Sequence, residues 1–501
     1  MSLLLKKEKY PYFDISNFEN TECLVDAEYY LPDYCPDIQK ILKCTADVQV
    51  VSYSLSDSRL TVQGNLNIIV MYTDEKCEVI RNCEITKEFT VNAKLTLNSD
   101  RVITYLKALT GHIICRAVSA RKLDIHIPVI INYAFCMQRE SEIVFDAIDC
   151  EKNEAFINTS KAFRVYNKDS SISQNIELMN SMKPIEAIIR KNVEFLNVKA
   201  VPSDDAVDVS ADIEVTVIYR SYSENSVIEK LKYQIPFNEK IELTGCHSEM
   251  FVECNFIKGE LSLIPKEDNM GENNLIALYT KFCINLIMYT NESQKYVKDV
   301  YSLDCMSSEK YEKHTFKNYK EKETKLTVSS DITTDSLEKV IDLWCDEADV
   351  ISFKEQNKIN YRGKFTLNVL YYNKNKKISY VSKIVDFNCV NESESGKQER
   401  DLSFVNVNSV DYKINSDNLL KVNCDIKVTS FIESLEYVTV LSSSEVGDEV
   451  ELNKGFVNVI YSKDDLWHIA KNHKVPVNDI LDINEAEREE DIKFPIILYK
   501  K

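Results

Sequence analysis

Catalysis and metal binding need a few residue types held in tight arrangements, and in this chain of 501 residues those types are scattered. Of six histidines, His468 and His473 lie five apart, an offset that does not place them on one helix face for a shared metal. His112 and His126 fall in or beside a strand pattern and bracket Cys115. A cysteine nucleophile with a histidine partner needs only to meet it in space, but a strand cysteine is usually a small buried hydrophobe, and that reading is preferred. Fifteen cysteines include no C-x-x-C, the closest two being Cys77 and Cys83, which points to a reducing cytoplasm and no designed metal site. The nine glycines are dispersed and form no G-x-x-x-x-G-K phosphate loop. Glu487, Glu489, Glu490 and Asp491 read as a solvated acidic face. The expectation is therefore a protein without catalytic residues, cofactor or metal.

Two features could serve binding instead. Arg116, Arg121 and Lys122 concentrate positive charge, either to dock an acidic partner or to balance nearby Asp and Glu. Trp467 is either an interface anchor or part of a small core. A net charge of −19 and a pI near 5.0 would repel nucleic acid and anionic membranes. The start, MSLLLKKEKYPYF, does not read as a secretory signal, and no apolar run is long enough to span a bilayer.

The elements that must position these residues repeat. In the first copy Leu60, Val62, Gly64, Leu66, Ile68, Val70 and Tyr72 alternate with polar residues, as a half-buried strand requires. The pattern returns at Val207 to Tyr219 and at Ile359 to Tyr371, with the tyrosines 147 and then 152 residues apart. Gly64, Ala211 and Gly363 sit eight residues before those tyrosines, where a small residue suits a bulge or bend. A short helix signal precedes each strand, at Pro36 to Leu42, in PIEAIIRK and in SLEKVIDLW. Strands dominate at spacings that suit antiparallel sandwiches or barrels, and long helical patterns for a parallel α/β fold are missing. The polar stretches 153–171 and 307–325 read as exposed linkers or terminal strands, and NESESGKQERD (391–401) as a charged loop.

After Ser444 the texture becomes strand, helix, helix, strand. Val457, Val459 and Tyr461 alternate, a helix carries Leu466, Ile469 and Ala470, and Val477, Ile480, Leu481 and Ile483 have helical spacing.

The run DLWHIAKNHKVPVNDILDIN resembles the LysM module through Leu466, Trp467, Ile469, Ala470, Val475, Leu481 and Asn484. It departs from LysM where glycan would sit: Lys463 replaces the turn glycine, Asp465 replaces Thr or Ser, and the closing IKFPIILY lacks its glycine. LPDYCPDIQKIL followed by LTVQGNLNIIVMY is similar to the SPOCS domain of bacterial spore-coat morphogenesis proteins of the SipL type, which place several such domains before one LysM. The resemblance implies a sporulation protein of the mother-cell cytoplasm at the outer forespore surface. There its LysM-like module would bind the morphogenetic ATPase of the coat basement layer.

The expected fold is mainly β: three tandem β-sandwich-like domains, each with a short helix, then a βααβ LysM-like module. Boundaries fall at a 1–20 polar lead-in, 21–152, 162–305, 320–443 and 453–501. The expected contact edge is Lys463, Asp464, Asp465, Leu466, Trp467 and Asn484, with the ATPase and other coat proteins as partners and the SPOCS copies free for further docking or self-association. The alternative is a cell-envelope LysM protein that binds peptidoglycan or related N-acetylglucosamine polymers. A hydrolase hidden in the β-domains has no motif to support it.

Overall fold

A computed structural model describes residues 4–15, 19–56, 58–74, 78–95, 101–222, 227–392, 398–416, 418–449, 457–461 and 465–499. The fold is mainly β, and every strand pairing is antiparallel. In copy one, β3 (Lys40–Ser56), β4 (Arg59–Thr73) and β5 (Ile80–Lys94) form a meander. Facing it, the long β8 (Lys122–Ile148) takes β1 (Leu4–Ile15) and β2 (Glu19–Tyr30) on one edge and β6 (Arg101–Thr110) and β7 (Ile114–Ser119) on the other.

Copy two repeats this plan with fewer breaks. Its meander is β10 (Ile185–Ser203), β11 (Ala206–Ser221) and β12 (Ile228–Glu242), opposite β14 (Leu275–Tyr301) flanked by β9 (Glu151–Glu177) and β13 (Phe251–Lys266). Copy three has the meander β16 (Leu337–Glu355), β17 (Lys358–Asn373) and β18 (Ile378–Glu392), opposite β20 (Leu419–Glu449) between β15 (Cys305–Thr333) and β19 (Gln398–Ser416). Each pair of sheets encloses an apolar cluster of its own, around Leu66 and Ile127, Val215 and Ile284, and Leu367 and Val422. Residues 4–15, read as a polar lead-in, are a strand along β8, and 153–171 and 307–325 lie inside β9 and β15. Of the charged loop at 391–401, residues 393–397 are outside the described set.

The three short helices expected before the meander strands do not form. Pro36–Ile38 is extended loop, while IEAIIRK and LEKVIDLW open β10 and β16. The cause is visible in the register. β10 slips between Ile185 and Ala187 and between Ile188 and Arg190, and β16 slips between Leu337 and Lys339 and between Val340 and Asp342. Each bulge adds a residue and breaks the period of two, so Ile185, Ile189 and Val193 are buried four apart, a spacing that imitates a helix face.

The repeated tyrosine has one job in all three copies. Tyr72 Oη donates to the Pro36 carbonyl at 3.4 Å and Tyr219 Oη to the Lys183 carbonyl at 3.1 Å, while Tyr371 Oη accepts from the Asp335 N–H at 3.0 Å. In each case the partner lies 36 residues upstream, where the chain enters the meander. The buried hydroxyl thereby ties a loop that has no helix to hold it.

The repeated small residue sits where the neighbouring strand bulges, beside the slips at Val50/Ser52, Leu196/Lys199 and Asp346/Asp349. A Cβ on Gly64 would lie 2.3 Å from the Gln49 carbonyl oxygen and 2.6 Å from the Phe89 ring. On Gly363 it would lie 2.2 Å from the Phe387 ring and 2.7 Å from the Asp349 carbonyl oxygen. The cross-strand phenylalanine covers the glycine directly, and in copy two Phe237 is registered against Ala211.

The copies meet in clusters built from matching positions. One joins the meanders through Leu42, Ile189 and Ile341, Met71, Ile218 and Leu370, and Ile80, Ile228 and Ile378. Here Asp342 is buried and accepts from Arg190 at 2.8 Å and Lys230 at 2.5 Å. A second junction joins the far halves of the long strands through Tyr10, Ile143, Ile157, Tyr296, Phe316 and Val438. Beside it the Ile15 N–H donates to Tyr319 Oη at 3.0 Å, and that hydroxyl donates to Glu433 at 3.2 Å.

Two substitutions test these contacts. Gly64→Ala and Gly363→Ala should each cost about 1–3 kcal/mol in urea unfolding, because backbone and ring must both move; a cost near zero would show that the strand has room. Asp342→Asn keeps the shape but leaves two cations facing a neutral amide, and should cost about 3 kcal/mol by the same measurement.

Candidate interface on the C-terminal module

The C-terminal segment runs β21 (Val457–Ile460), α1 (Leu466–His473), α2 (Val477–Ile483) and β22 (Ile496–Tyr499), with β21 antiparallel to β22. Leu466, Trp467, Ile469 and Ala470 are buried on one face of α1 and pack with Val475, Ile480, Ile496 and Leu498. Lys474, in the left-handed region at φ 55°, ends α1, and Pro476 opens α2. Asn484 caps the module from inside: its amide donates to the Ile480 and Ile497 carbonyls, and its oxygen accepts from the Ile497 N–H, all at 2.8 Å. It joins the end of α2 to β22.

Tyr301, from the end of β14, belongs to the same cluster. Its ring meets Trp467 edge-on at 5.0 Å, and its hydroxyl donates to the Val475 carbonyl at 2.8 Å. Trp467 Nε1 donates to Asp299 Oδ2 at 2.7 Å. The other oxygen of Asp299 accepts from Lys471 Nζ at 2.7 Å and from Tyr311 Oη at 2.5 Å, and Lys471 also pairs with Glu309 at 2.9 Å. Burial pushes the Asp299 carboxyl up, but the donors Lys471, Trp467 and Tyr311 outweigh it and hold the group below its ordinary value. Burial and the adjacent Asp299 push the Tyr311 hydroxyl the other way. The module is thus seated on β14 and β15 through one multiply bonded carboxylate.

Lys463 and Asp464 lie outside the described residues. Of the other residues expected at the contact edge, Leu466 and Trp467 are both 6% exposed and Asn484 is committed to the α2–β22 joint. Asp465 is exposed beside His468, whose Nδ1 lies 3.2 Å from its carboxylate. The described members therefore do not converge on one open patch. What the module does expose is an apolar sheet face: Val457 is registered against Tyr499 and Val459 against Ile497, and all four are exposed, with Tyr461 beyond them. Their alternation was legible in sequence, although which face would be covered was not.

Of the other candidates, His112 and Arg116 are exposed, whereas Arg121, Lys122, His126 and Cys115 have neighbours within the chain. Arg121 donates to Asp37 at 2.6 Å and to the Pro32 carbonyl at 2.7 Å, pinning the LPDYCPD loop, and Lys122 pairs with Glu28 at 3.0 Å. His126 lies between Asp26 at 2.6 Å and Asp124 at 3.2 Å; hydrogen bonding to Asp26 and then Asp124 raises its pKa. Cys115 packs against the apolar cluster that holds Cys44. No group of three metal-ligating side chains occurs among the described residues, and no helix among them is long and apolar enough to cross a membrane.

Residues 37–115 and 184–261 match the family model described as SipL, SPOCS domain. Each match takes in a whole meander with its Gly64 or Ala211 position and its repeated tyrosine; the first ends in β7 and the second in β13. No curated protein and no solved structure matches the chain.

The seating of the module has an optical readout, because the chain has only two tryptophans, Trp344 and Trp467, and both are buried. Asp299→Ala removes four hydrogen bonds, from Trp467, Lys471, Tyr311 and the Val300 N–H, each worth about 0.5–3 kcal/mol. Trp467 emission should then shift to the red and acrylamide quenching should rise, with little change in far-ultraviolet dichroism. Since the Asp299 pKa is depressed, its contribution is complete above about pH 4 and is lost as the pH falls further. Quenching of the wild type should therefore be flat from neutral pH down to about 5 and climb only below about 4.

Proposed function

We propose that this chain is a non-enzymatic adaptor in bacterial endospore coat assembly. It acts in the mother-cell cytoplasm at the outer forespore surface, where its LysM-like C-terminal module binds the morphogenetic ATPase of the coat basement layer. The observation that carries the reading is the SPOCS match at two of the three copies. The third copy has the same construction, with Gly363 under Phe387 and Tyr371 tied to the entry loop. The module supports a protein ligand: its tryptophan face is occupied within the chain, and the face left open is apolar. The proposed contact runs from the Asp465 edge onto Val459 and Ile497.

The test uses the full chain, because a module cut away from Asp299 and Tyr301 would expose Trp467 artificially. Immobilised protein is offered the coat-basement ATPase in one arm and insoluble peptidoglycan in the other. The ATPase should be retained and peptidoglycan should not be. Val459→Glu and Ile497→Glu should lower ATPase retention tenfold or more without moving the melting temperature. Peptidoglycan binding that survives both substitutions would instead establish the envelope reading.

A further inference from the structure

One pair of cysteines is in sulfur contact and a second pair shares an apolar cluster, and both pairs bridge the two sheets of one copy. In copy three, Cys345 Sγ on β16 lies 3.9 Å from Cys424 Sγ on β20. In copy one, Cys44 on β3 is buried in the apolar cluster between the sheets and Cys115 on β7 packs against that same cluster. Each pair joins one buried thiol, Cys44 or Cys424, to a less buried one, Cys115 or Cys345. Copy two has no such pair among the described residues; there Phe195 on β10 stacks on Phe256 on β13 at 4.7 Å, with Phe237 and Phe282 against them.

We infer that Cys44–Cys115 and Cys345–Cys424 are two redox-sensitive staples, held as thiols in a reducing compartment and closed to disulfides by a small-molecule disulfide oxidant. Closure asks each sulfur pair to approach to about 2.05 Å, a side-chain movement within one sheet-to-sheet gap rather than a change of fold. The more accessible thiol, as thiolate, attacks one sulfur of oxidised glutathione and expels one glutathione thiolate, leaving a mixed disulfide. The buried thiol then loses its proton and attacks the protein sulfur of that mixed disulfide, expelling the second glutathione. Two cysteine thiols are oxidised and one glutathione disulfide is reduced to two thiols, with nothing left over. Each staple would close a loop of more than 70 residues and tie a meander to its facing sheet.

The experiment incubates the native full chain with oxidised glutathione, blocks remaining thiols with an alkylating reagent, and maps the unreduced peptides by mass spectrometry. Peptides joining Cys44 to Cys115 and Cys345 to Cys424 should appear while the other cysteines stay alkylated, and the melting temperature should rise by several degrees until dithiothreitol reverses it. Cys424→Ala should abolish the second cross-link and leave the first. The inference is overturned if glutathione stays on Cys115 or Cys345 without closure, if cross-links scatter among other cysteines, or if no thiol reacts without denaturant. The wild-type peptide map decides between these outcomes even if the variant folds poorly.

Discussion

The structure depends on the need to cover both faces of the three meanders at one end. Along β4, β11 and β17 the first residues alternate between buried and exposed, but the last six, five and seven or so are buried almost throughout. A three-stranded sheet facing one partner can hide only one side. The second side at Met71, Ile218 and Leu370 is hidden because the three copies meet there, each offering the same positions to a shared apolar cluster. The long central strands β8, β14 and β20 behave likewise: one half completes the copy's own core and the other half reaches the junctions around Tyr10, Phe316 and Val438. Each copy is therefore finished only by its neighbours, and a run such as IIVMY is apolar on both faces for that reason.

Matching positions do not carry matching charges, and the difference gives the junction its order. Lys43, Arg190 and Asp342 stand at the same place in the three copies. Asp342 is buried and bonded to Arg190 and Lys230, Arg190 lies 4.4 Å over the Trp344 ring, and Lys43 pairs with Asp346 at 3.5 Å. Three identical lysines would repel across the cluster, and three aspartates would each need a cation. A single buried carboxylate with two cations instead distinguishes copy three from copy two, so the ion pairs specify arrangement more than they add stability.

Much of this was legible in sequence, for identifiable reasons. Strict alternation from Leu60 to Tyr72 and its two echoes carries the strand period directly, and Gly64 with Gly363 marked a real constraint, the bulge and the phenylalanine above it. The helix signals failed at those same edges, because bulges at Ile41/Lys43 and Ile188/Arg190 impose a spacing near four on a strand. The candidate interface was less legible. Trp467 stood out by type, but its partner Asp299 is 168 residues away, and nothing local at either position announces the other. The same holds for Cys345 and Cys424, whose strands lie in different sheets.

The seating of Trp467 also bears on how the C-terminal module is aimed. A small module on a free tether would sample many orientations, and whatever bound it would be located only to within the tether's reach. Here Asp299 collects donors from both sides of the seam, Trp467 and Lys471 from α1 and Tyr311 from β15, while Tyr301 fills the module's own core. Removing the module would leave the Asp299 carboxylate short of two donors, and removing β14 would open the module's core. The exposed face of Val457, Val459, Ile497 and Tyr499 is consequently held at a fixed bearing to β14 and β15. A partner bound there would be oriented by the whole β scaffold, which gives the three copies a mechanical reason to precede so small a module.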